Sequence, residues 1–283
     1  MVSIIITAYN VEKWIKECID SACSQTFKDI EVVVVEDCST DSTRKILEDV
    51  TDKRVRIIYN CHNMGAGASR RRGIEASTGE YIMLLDGDDM LSSDFIEALY
   101  CKAVDNDADI AGGGITVVHE DGSTENSSYG ERCVEGDEKI LKFWGEKVVF
   151  MNNKLIRRSL HERIPYCTRR FIEDTPVIIP MLYIANRVVY TDNVGYSYRM
   201  HTSSLTHSAT PFKYALFRAL CAEDIIQFFE KHDKTYIEKL GLGEALTGCL
   251  LQIKECHPTA AMIELFKDEW IEYTTKLIAR LGN

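Results

Sequence analysis

Four short apolar runs alternate with segments of helical periodicity, and this alternation constrains the fold more than any other feature of the chain. The runs are Ser3–Thr7, Ile30–Val35, Val55–Tyr59 and Tyr81–Leu85. They are rich in β-branched residues and too short for buried helices, so they read as strands with both faces covered. Within Val11–Thr26, residues Trp14, Ile15, Cys18, Ile19 and Ala22 mark one apolar helical face. Arg44–Val50, Asn63–Ser77 and Asp94–Asp105 predict further helices, and Ile110–Val118 another strand. A β-α-β-α-β-α-β-α-β order implies right-handed crossovers and an α/β fold, a Rossmann-like, mainly parallel, doubly wound sheet.

After residue 120 the alternation stops. Glu120–Ser123 reads as a hairpin turn, Val188–Thr191 and Gly195–Arg199 as two short strands, and the chain from Pro211 as amphipathic helices. Residues 1–120 therefore form the half suited to a nucleotide, 121–205 the second half of the same domain, and 206–283 a C-terminal helical extension. The apolar stripes of Phe212–Phe229 and of Ala261–Leu281 (Ile263, Leu265, Phe266, Trp270, Ile271, Leu277, Ile278) are expected to pack on the protein itself. Homodimerisation and peripheral membrane contact are the other uses open to them.

Composition excludes some partners. A formal charge of −11 argues against nucleic acid, whose phosphates demand a basic surface. The ten cysteines contain no C-x-x-C pair and no zinc-like spacing. The longest apolar run, Val177–Ala185, contains Pro180 and is far shorter than the roughly 20 residues that span a bilayer. With Met1 leading straight into a strand and no signal-like segment, the expected setting is the cytoplasm, extending to the inner face of the membrane.

The chemistry gathers where strands end. The fourth run stops at Asp86, Asp88 and Asp89, whose mutual repulsion a divalent cation would relieve. Gly87 between them permits close backbone approach. The second run stops at Glu36-Asp37. The first stops at Thr7-Ala8-Tyr9-Asn10, so neither the G-x-G-x-x-G cradle nor a Walker loop is present. Carboxylates accept from a base N–H or ribose hydroxyls, and a metal bridges phosphates. Acids without a glycine cradle therefore suggest a nucleotide-diphosphate donor held mainly through its cation.

Four motifs in order and spacing carry a resemblance: Ser3–Asn10 (SIIITAYN), Val35–Ser42 (VEDCSTDS), Asn63–Gly79 (NMGAGASRRRGIEASTG) and Glu80–Asp89 (EYIMLLDGDD). They resemble the family 2 glycosyltransferases, inverting, metal-dependent enzymes of the GT-A fold that use nucleotide-sugars. A looser likeness continues through Asn153-Lys154, Phe171–Thr175 and Tyr196–Ser204. The resemblance implies that Thr7, Ala8 and Tyr9 line the base and ribose pocket and that Asp37 accepts from a uracil-type N–H. It implies that Arg70 faces the nucleotide, that Asp86 contacts the ribose or metal-bound waters, and that Asp88 binds Mn2+ or Mg2+. Asp89 would close the turn, Asp174 would be the catalytic base, and His201 would reach the metal or diphosphate. The donor implied is a UDP-sugar, and the acceptor a glycan or lipid-linked glycan of surface polysaccharide synthesis.

Two positions depart from the family pattern. Arg71 stands where asparagine is usual, and Cys38 where glycine is usual, which suggests that no positive φ is needed at Cys38. Each site residue also has a structural reading. Asp37 could cap a helix, Arg70–Arg72 could be a solvated face, Glu173-Asp174 could be acids of a first helical turn before Pro176, and His201 could be a structural hydrogen bonder. Asn153-Lys154 could orient an acceptor loop or lie at the surface. A nucleotidyltransferase would be expected to carry a glycine- and lysine-rich signature after the first strand, which Thr7–Asn10 lacks. A non-catalytic sugar-nucleotide-binding scaffold would be expected to have lost Asp86, Asp88 or Asp174, and all are present.

Overall fold

A computed structural model of the chain describes residues 1–146, 150–166, 172–202 and 210–281. Phe171, Ser203 and Ser204, which belong to the looser motifs above, lie outside the described residues, as does Cys167, one of the ten cysteines. Two compact units divide between His201 and Thr202.

The first unit opens with β1 (Val2–Ala8), α1 (Ile15–Cys23), β2 (Ile30–Glu36), α2 (Thr43–Glu48), β3 (Val55–Tyr59), α3 (Ala66–Ala76) and β4 (Tyr81–Asp86). β1, β2 and β4 are buried along almost their whole length, as runs of valine and isoleucine covered on both faces require. β2 and β4 flank β1, β3 lies beyond β2, and all these ladders are parallel. The chain thus leaves β1 in one direction and returns past it to β4, which makes the β1–β4 seam a topological switch point. Thr7 and Asp86 are register partners at its carboxyl end.

Helix α1 begins at Ile15, later than the sequence periodicity predicts. The Asn10, Val11 and Glu12 N–H groups donate instead to Ser39, Thr43 and Asp41, in the loop after β2 and at the first residue of α2. The apolar face of α1, Ile15, Cys18, Ile19 and Ala22, is buried as its spacing predicts.

The rest of this unit comprises β5 (Met90–Leu91), α4 (Phe95–Asp105), β6 (Ile110–Val118), β7 (Thr124–Ser127), β8 (Arg132–Glu135), α5 (Glu138–Gly145), β9 (Lys154–Arg157), α6 (Arg158–Arg163), α7 (Thr175–Ile184) and β10 (Arg187–Arg199). The sheet order is β3-β2-β1-β4-β9-β6-β10-β5, with β7 on β6 and β8 on β10. The mainly parallel α/β sheet stands, and the hairpin at Glu120–Ser123 joins β6 to β7 antiparallel. Sequence reading missed β9, which enters antiparallel between β4 and β6. Because β9 runs backwards along β4, the residues just before Lys154 are delivered beside Asp86. The two strands predicted near Val188 and Gly195 are one, β10, with register shifts between Tyr190 and Tyr196. Asp192, Asn193 and Gly195 look like a strand break in sequence and are carried here in an irregular, bulged stretch.

The second unit is helical: α8 (Pro211–His232), α9 (Thr235–Lys239), α10 (Leu242–Glu255), α11 (Ala260–Leu265) and α12 (Lys267–Leu281). α8 packs on α10 and α12, and Arg280 and Lys276 of α12 pair with Glu223 and Asp224 of α8. The expected stripe of Ala261–Leu281 is only partly used, because the helix breaks at Phe266 and leaves Leu265, Ile271 and Ile278 exposed. No helix among the described residues is long and apolar enough to cross a membrane.

Inside the first unit, buried His161 bonds through Nδ1 to the Tyr166 hydroxyl at 2.7 Å. Burial, with the Arg158 charge adding to it, lowers its pKa to about 3. Below about pH 6.5 the unfolded chain binds a proton there that the folded chain refuses. The stabilisation is therefore complete above that pH and is lost, by up to about 1.4 kcal/mol per pH unit, as the pH falls toward the folded value. His161→Gln should flatten the acid-side decline of the denaturant midpoint over that window. An unaltered slope would mean that the native imidazole is protonated.

Candidate active site

The acids at the carboxyl ends of β1, β2 and β4 are arranged in two groups. The first is centred on Arg70, a residue of α3 that is 4% exposed. Its guanidinium donates to Asp86 Oδ1 at 2.8 Å, Glu173 Oε1 at 2.9 Å and Asp174 Oδ1 at 2.5 Å, while its Nε has no partner. Asp86 also accepts from Thr7 Oγ1 at 3.3 Å and from Asn152 Nδ2 at 2.6 Å. Asp174, at the head of α7, accepts the Met151 N–H on its other oxygen at 3.2 Å. Burial by itself would push the Asp86 carboxyl up; the Arg70 charge and the hydrogen bonds from Arg70, Asn152 and Thr7 reverse this and hold it below the ordinary range. At Glu173 burial dominates and moves the carboxyl up.

Helical spacing separates the three arginines. Arg70 turns into the site, Arg71 pairs with Glu75 at 2.7 Å on the exposed face, and Arg72 donates to the Tyr59 carbonyl and to Asn60. The solvated-face reading is therefore right for Arg71 alone.

The second group is the turn after β4. Gly87 N–H donates to the Thr7 carbonyl at 2.9 Å, and a Cβ at Gly87 would stand 2.8 Å from that same oxygen, so a side chain does not fit. Asp88 Oδ2 lies 2.9 Å from His201 Nε2, and the imidazole stacks on Trp14 with centroids 4.1 Å apart. Trp14 is thus half of a platform for His201 and not simply core. Burial, then the neighbouring Asp86 charge, raises the Asp88 carboxyl. Asp89 is 1% exposed and accepts from the Tyr196 hydroxyl at 2.6 Å and the Arg199 N–H at 2.8 Å. It closes the turn from beneath.

One carboxylate and one imidazole could both serve a divalent cation. Neighbouring vertices of an octahedron with bonds of about 2.1 Å are about 3.0 Å apart, close to the Asp88–His201 separation of 2.9 Å. Among the described residues no three His, Cys, Asp or Glu side chains are grouped to hold a metal alone. A cation here would complete its sphere with water and substrate oxygens, as magnesium-type ions bound beside nucleotides do.

Asp37 stands apart, 3% exposed under the start of α3. Its Oδ1 accepts from Asn60 Nδ2 at 2.7 Å and the Met64 N–H at 2.8 Å, and its Oδ2 from the Gly65 N–H at 2.7 Å. With two lone-pair sites per oxygen, one acceptor site remains on Oδ2. Asp37 therefore anchors the α3 approach and keeps one lone pair unfilled by the bonds seen. Ala8 is buried and contributes its carbonyl to the Asp37 N–H, whereas Tyr9 is 44% exposed at the rim. The expectation that Cys38 needs no positive φ is wrong: its φ is +61°. A side chain in that left-handed region costs about 1–2 kcal/mol relative to glycine, and the loop tolerates it.

Sequence reading missed Asn152, Tyr196 and the Met151 N–H. Asn152 lies between β4 and β6 only because of β9, for which no periodicity gave a signal. Tyr196 lies in the Tyr196–Ser204 segment, where no local pattern in the sequence gives its hydroxyl a role.

The fold is an open, doubly wound α/β sheet, with its polar groups gathered outside the carboxyl ends of the strands. The chain belongs to Glycosyl transferase family 2, whose profile matches residues 3–165. It is 30% identical over 225 residues to the glycosyltransferase GlyA of Streptococcus pneumoniae, a match covering 72% of this chain and 31% of GlyA. It is 35% identical over 231 residues to the uncharacterized glycosyltransferase EpsJ of Bacillus subtilis, covering 76% of this chain and 65% of EpsJ. The fold matches S. aureus TarS 1–349, solved in complex with UDP-GlcNAc, with a TM-score of 0.69 at 22% identity over 96% of this chain and 79% of that one.

Removing the cation from the first group should be costly. Arg70→Met leaves Asp86, Glu173 and Asp174 buried without it, and the expected loss is about 3–5 kcal/mol near pH 7. Asp86, whose carboxyl is held low in the folded state, contributes stability above its unfolded pKa and loses it as the pH falls. The deficit should therefore narrow near pH 3, and an equal deficit at both pH values would assign it to packing. Denaturant unfolding at the two pH values measures this.

Proposed function

We propose that this chain is an inverting glycosyltransferase that moves a sugar from a UDP-sugar, with Mn2+ or Mg2+, to a glycan or lipid-linked acceptor. The single observation that carries the reading is Arg70, one buried guanidinium bonded at once to the donor-side acid Asp86 and to Asp174. Such a link fixes the distance between a donor and a base. The side chain of Asp174 remains 20% exposed, so a hydroxyl can reach it. Thr7, Ala8 and Tyr9 would flank the base and ribose, and the spare acceptor site of Asp37 would take the uracil N–H. TarS, which shares the fold, has been solved with UDP-GlcNAc, and this favours uracil over other bases.

Asp174 takes the proton of the acceptor hydroxyl as its oxygen attacks the anomeric carbon opposite the diphosphate. The new glycosidic bond forms as the bond to the diphosphate oxygen breaks, and one displacement inverts the centre. When bound at Asp88 and His201, the cation supplies charge for the departing diphosphate. General-base assistance of this kind contributes about 10²–10⁴-fold. A lipid-linked acceptor would bring the protein to the cytoplasmic face of a membrane, in line with surface polysaccharide synthesis.

Thermal unfolding with UDP, GDP and dTDP, each with and without manganese, tests the donor. A ligand at a hundredfold excess over its dissociation constant stabilises by about 2.7 kcal/mol, so UDP with manganese should raise the midpoint by several degrees. In the same experiment Asp174→Asn should bind UDP as the parent does and transfer at least about 100-fold more slowly. No shift with any nucleotide would sink the reading.

A further inference from the structure

Lys154 is the first residue of β9 and is fully buried. Its ammonium lies 4.7 Å from the Phe150 ring centroid and 5.8 Å from that of Tyr190. Burial, its largest influence, lowers its pKa to about 7. Among the described residues no ion pair neutralises it, yet a methionine of similar length would fill the same space without the cost of burying a charge. What the lysine adds is hydrogen bonds, and both that are seen go to the turn just before it. Nζ donates to the Phe150 carbonyl at 2.6 Å and to Asn153 Oδ1 at 2.7 Å.

The far end of that turn is fastened too. Asn153 Nδ2 donates to the Gly113 carbonyl at 2.5 Å, and the Gly113 N–H donates to the Asn153 carbonyl at 3.1 Å. Between the two fastenings lie the two groups that face the site. The Met151 N–H reaches Asp174 at 3.2 Å, and the Asn152 amide reaches Asp86 at 2.6 Å and Tyr196 at 3.2 Å. A four-residue turn thus bridges the same two carboxylates that Arg70 bridges from the opposite side.

We propose that Lys154 is a positioning residue that pegs the Phe150–Asn153 turn, so that Met151 and Asn152 set the spacing of Asp174 and Asp86. The proposal rests on reading Asp174 as the base and Asp86 as the donor-side acid. It requires two effects of Lys154→Met in the full chain. Hydrogen exchange at the Met151 amide should quicken about tenfold or more, with β4 and β6 amides unchanged. With UDP-N-acetylglucosamine and manganese, release of UDP should slow on the order of 100-fold in kcat, the scale of a misplaced catalytic group.

Parental exchange at Met151, or parental kcat with quickened exchange, would overturn the proposal, since a merely packed lysine would move neither. Should Lys154→Met fail to fold, Asn152→Ala carries the test. It keeps the peg and removes the arm to Asp86, so Met151 exchange should stay put while kcat/KM falls about tenfold or more. Undiminished kcat/KM would overturn the proposal. If the parent neither binds nor turns over the nucleotide-sugar, the transferase reading fails by itself, and the exchange at Met151 alone decides the peg.

Discussion

One buried guanidinium holds the candidate site together. Arg70 comes from α3, Asp86 from β4, and Glu173 and Asp174 from the head of α7, so a single side chain ties α3 and β4 to an element whose acids lie more than a hundred residues beyond Arg70. Three carboxylates around one arginine leave an excess of negative charge in a partly desolvated place. Buried charge is tolerated only where it is paired and hydrogen-bonded. Here Asn152 and the Met151 N–H meet the second oxygens of Asp86 and Asp174, and Thr7 adds a further bond to the Asp86 oxygen that Arg70 holds. The network is poor value as stability, because well-packed apolar residues would serve as well. Its worth lies in fixing where two carboxylates stand.

The sheet makes that arrangement available. A doubly wound order alone would put β6 next to β4. The antiparallel β9 between them brings a turn, Phe150–Asn153, to the carboxyl end of β4. The bulged course of β10 then carries Tyr196 under Asp89 and His201 to Asp88 from the far side. Each of these strands departs from the regular pattern, and each departure points a polar group at the acids.

The regular part was legible and the irregular part was not. Runs such as IIIT and VVVV announce buried parallel strands because they have no polar face to offer water. Once β1, β2 and β4 are placed, Thr7, Asp37 and Asp86 must lie at one end of the sheet, and they do. β9 was invisible because its four residues show neither period, and Asn152 because its meaning comes from a neighbour that is far away in sequence. The long β10 reads in sequence as two strands because Asp192, Asn193 and Gly195 are turn formers by local chemistry, and pairing to β6 before and after them carries one strand through. Cys38 failed for another reason. The residue type argued against a left-handed backbone, while the hydrogen bonds of its neighbours, Ser39 N–H to Glu36 and Asp37 N–H to the Ala8 carbonyl, impose one. Arg70 could be picked from three arginines only by its matching motif position, and helical spacing explains afterwards why its neighbours turn elsewhere.

The turn after β4 sets one electrostatic problem and answers it three ways. Asp86, Asp88 and Asp89 repel one another at close range, and burial worsens the repulsion. Asp86 is relieved by a permanent cation, Arg70. Asp89, whose carboxyl is pushed well up, is relieved by neutral donors, the Tyr196 hydroxyl and the Arg199 N–H. Asp88 is faced by an imidazole, the one partner of the three that can bind a metal through the same nitrogen. A group meant only to hold the turn would be better served by either of the first two solutions. Histidine leaves Asp88 able to exchange its partner, and under the proposed transferase reading the partner it would take is a divalent cation.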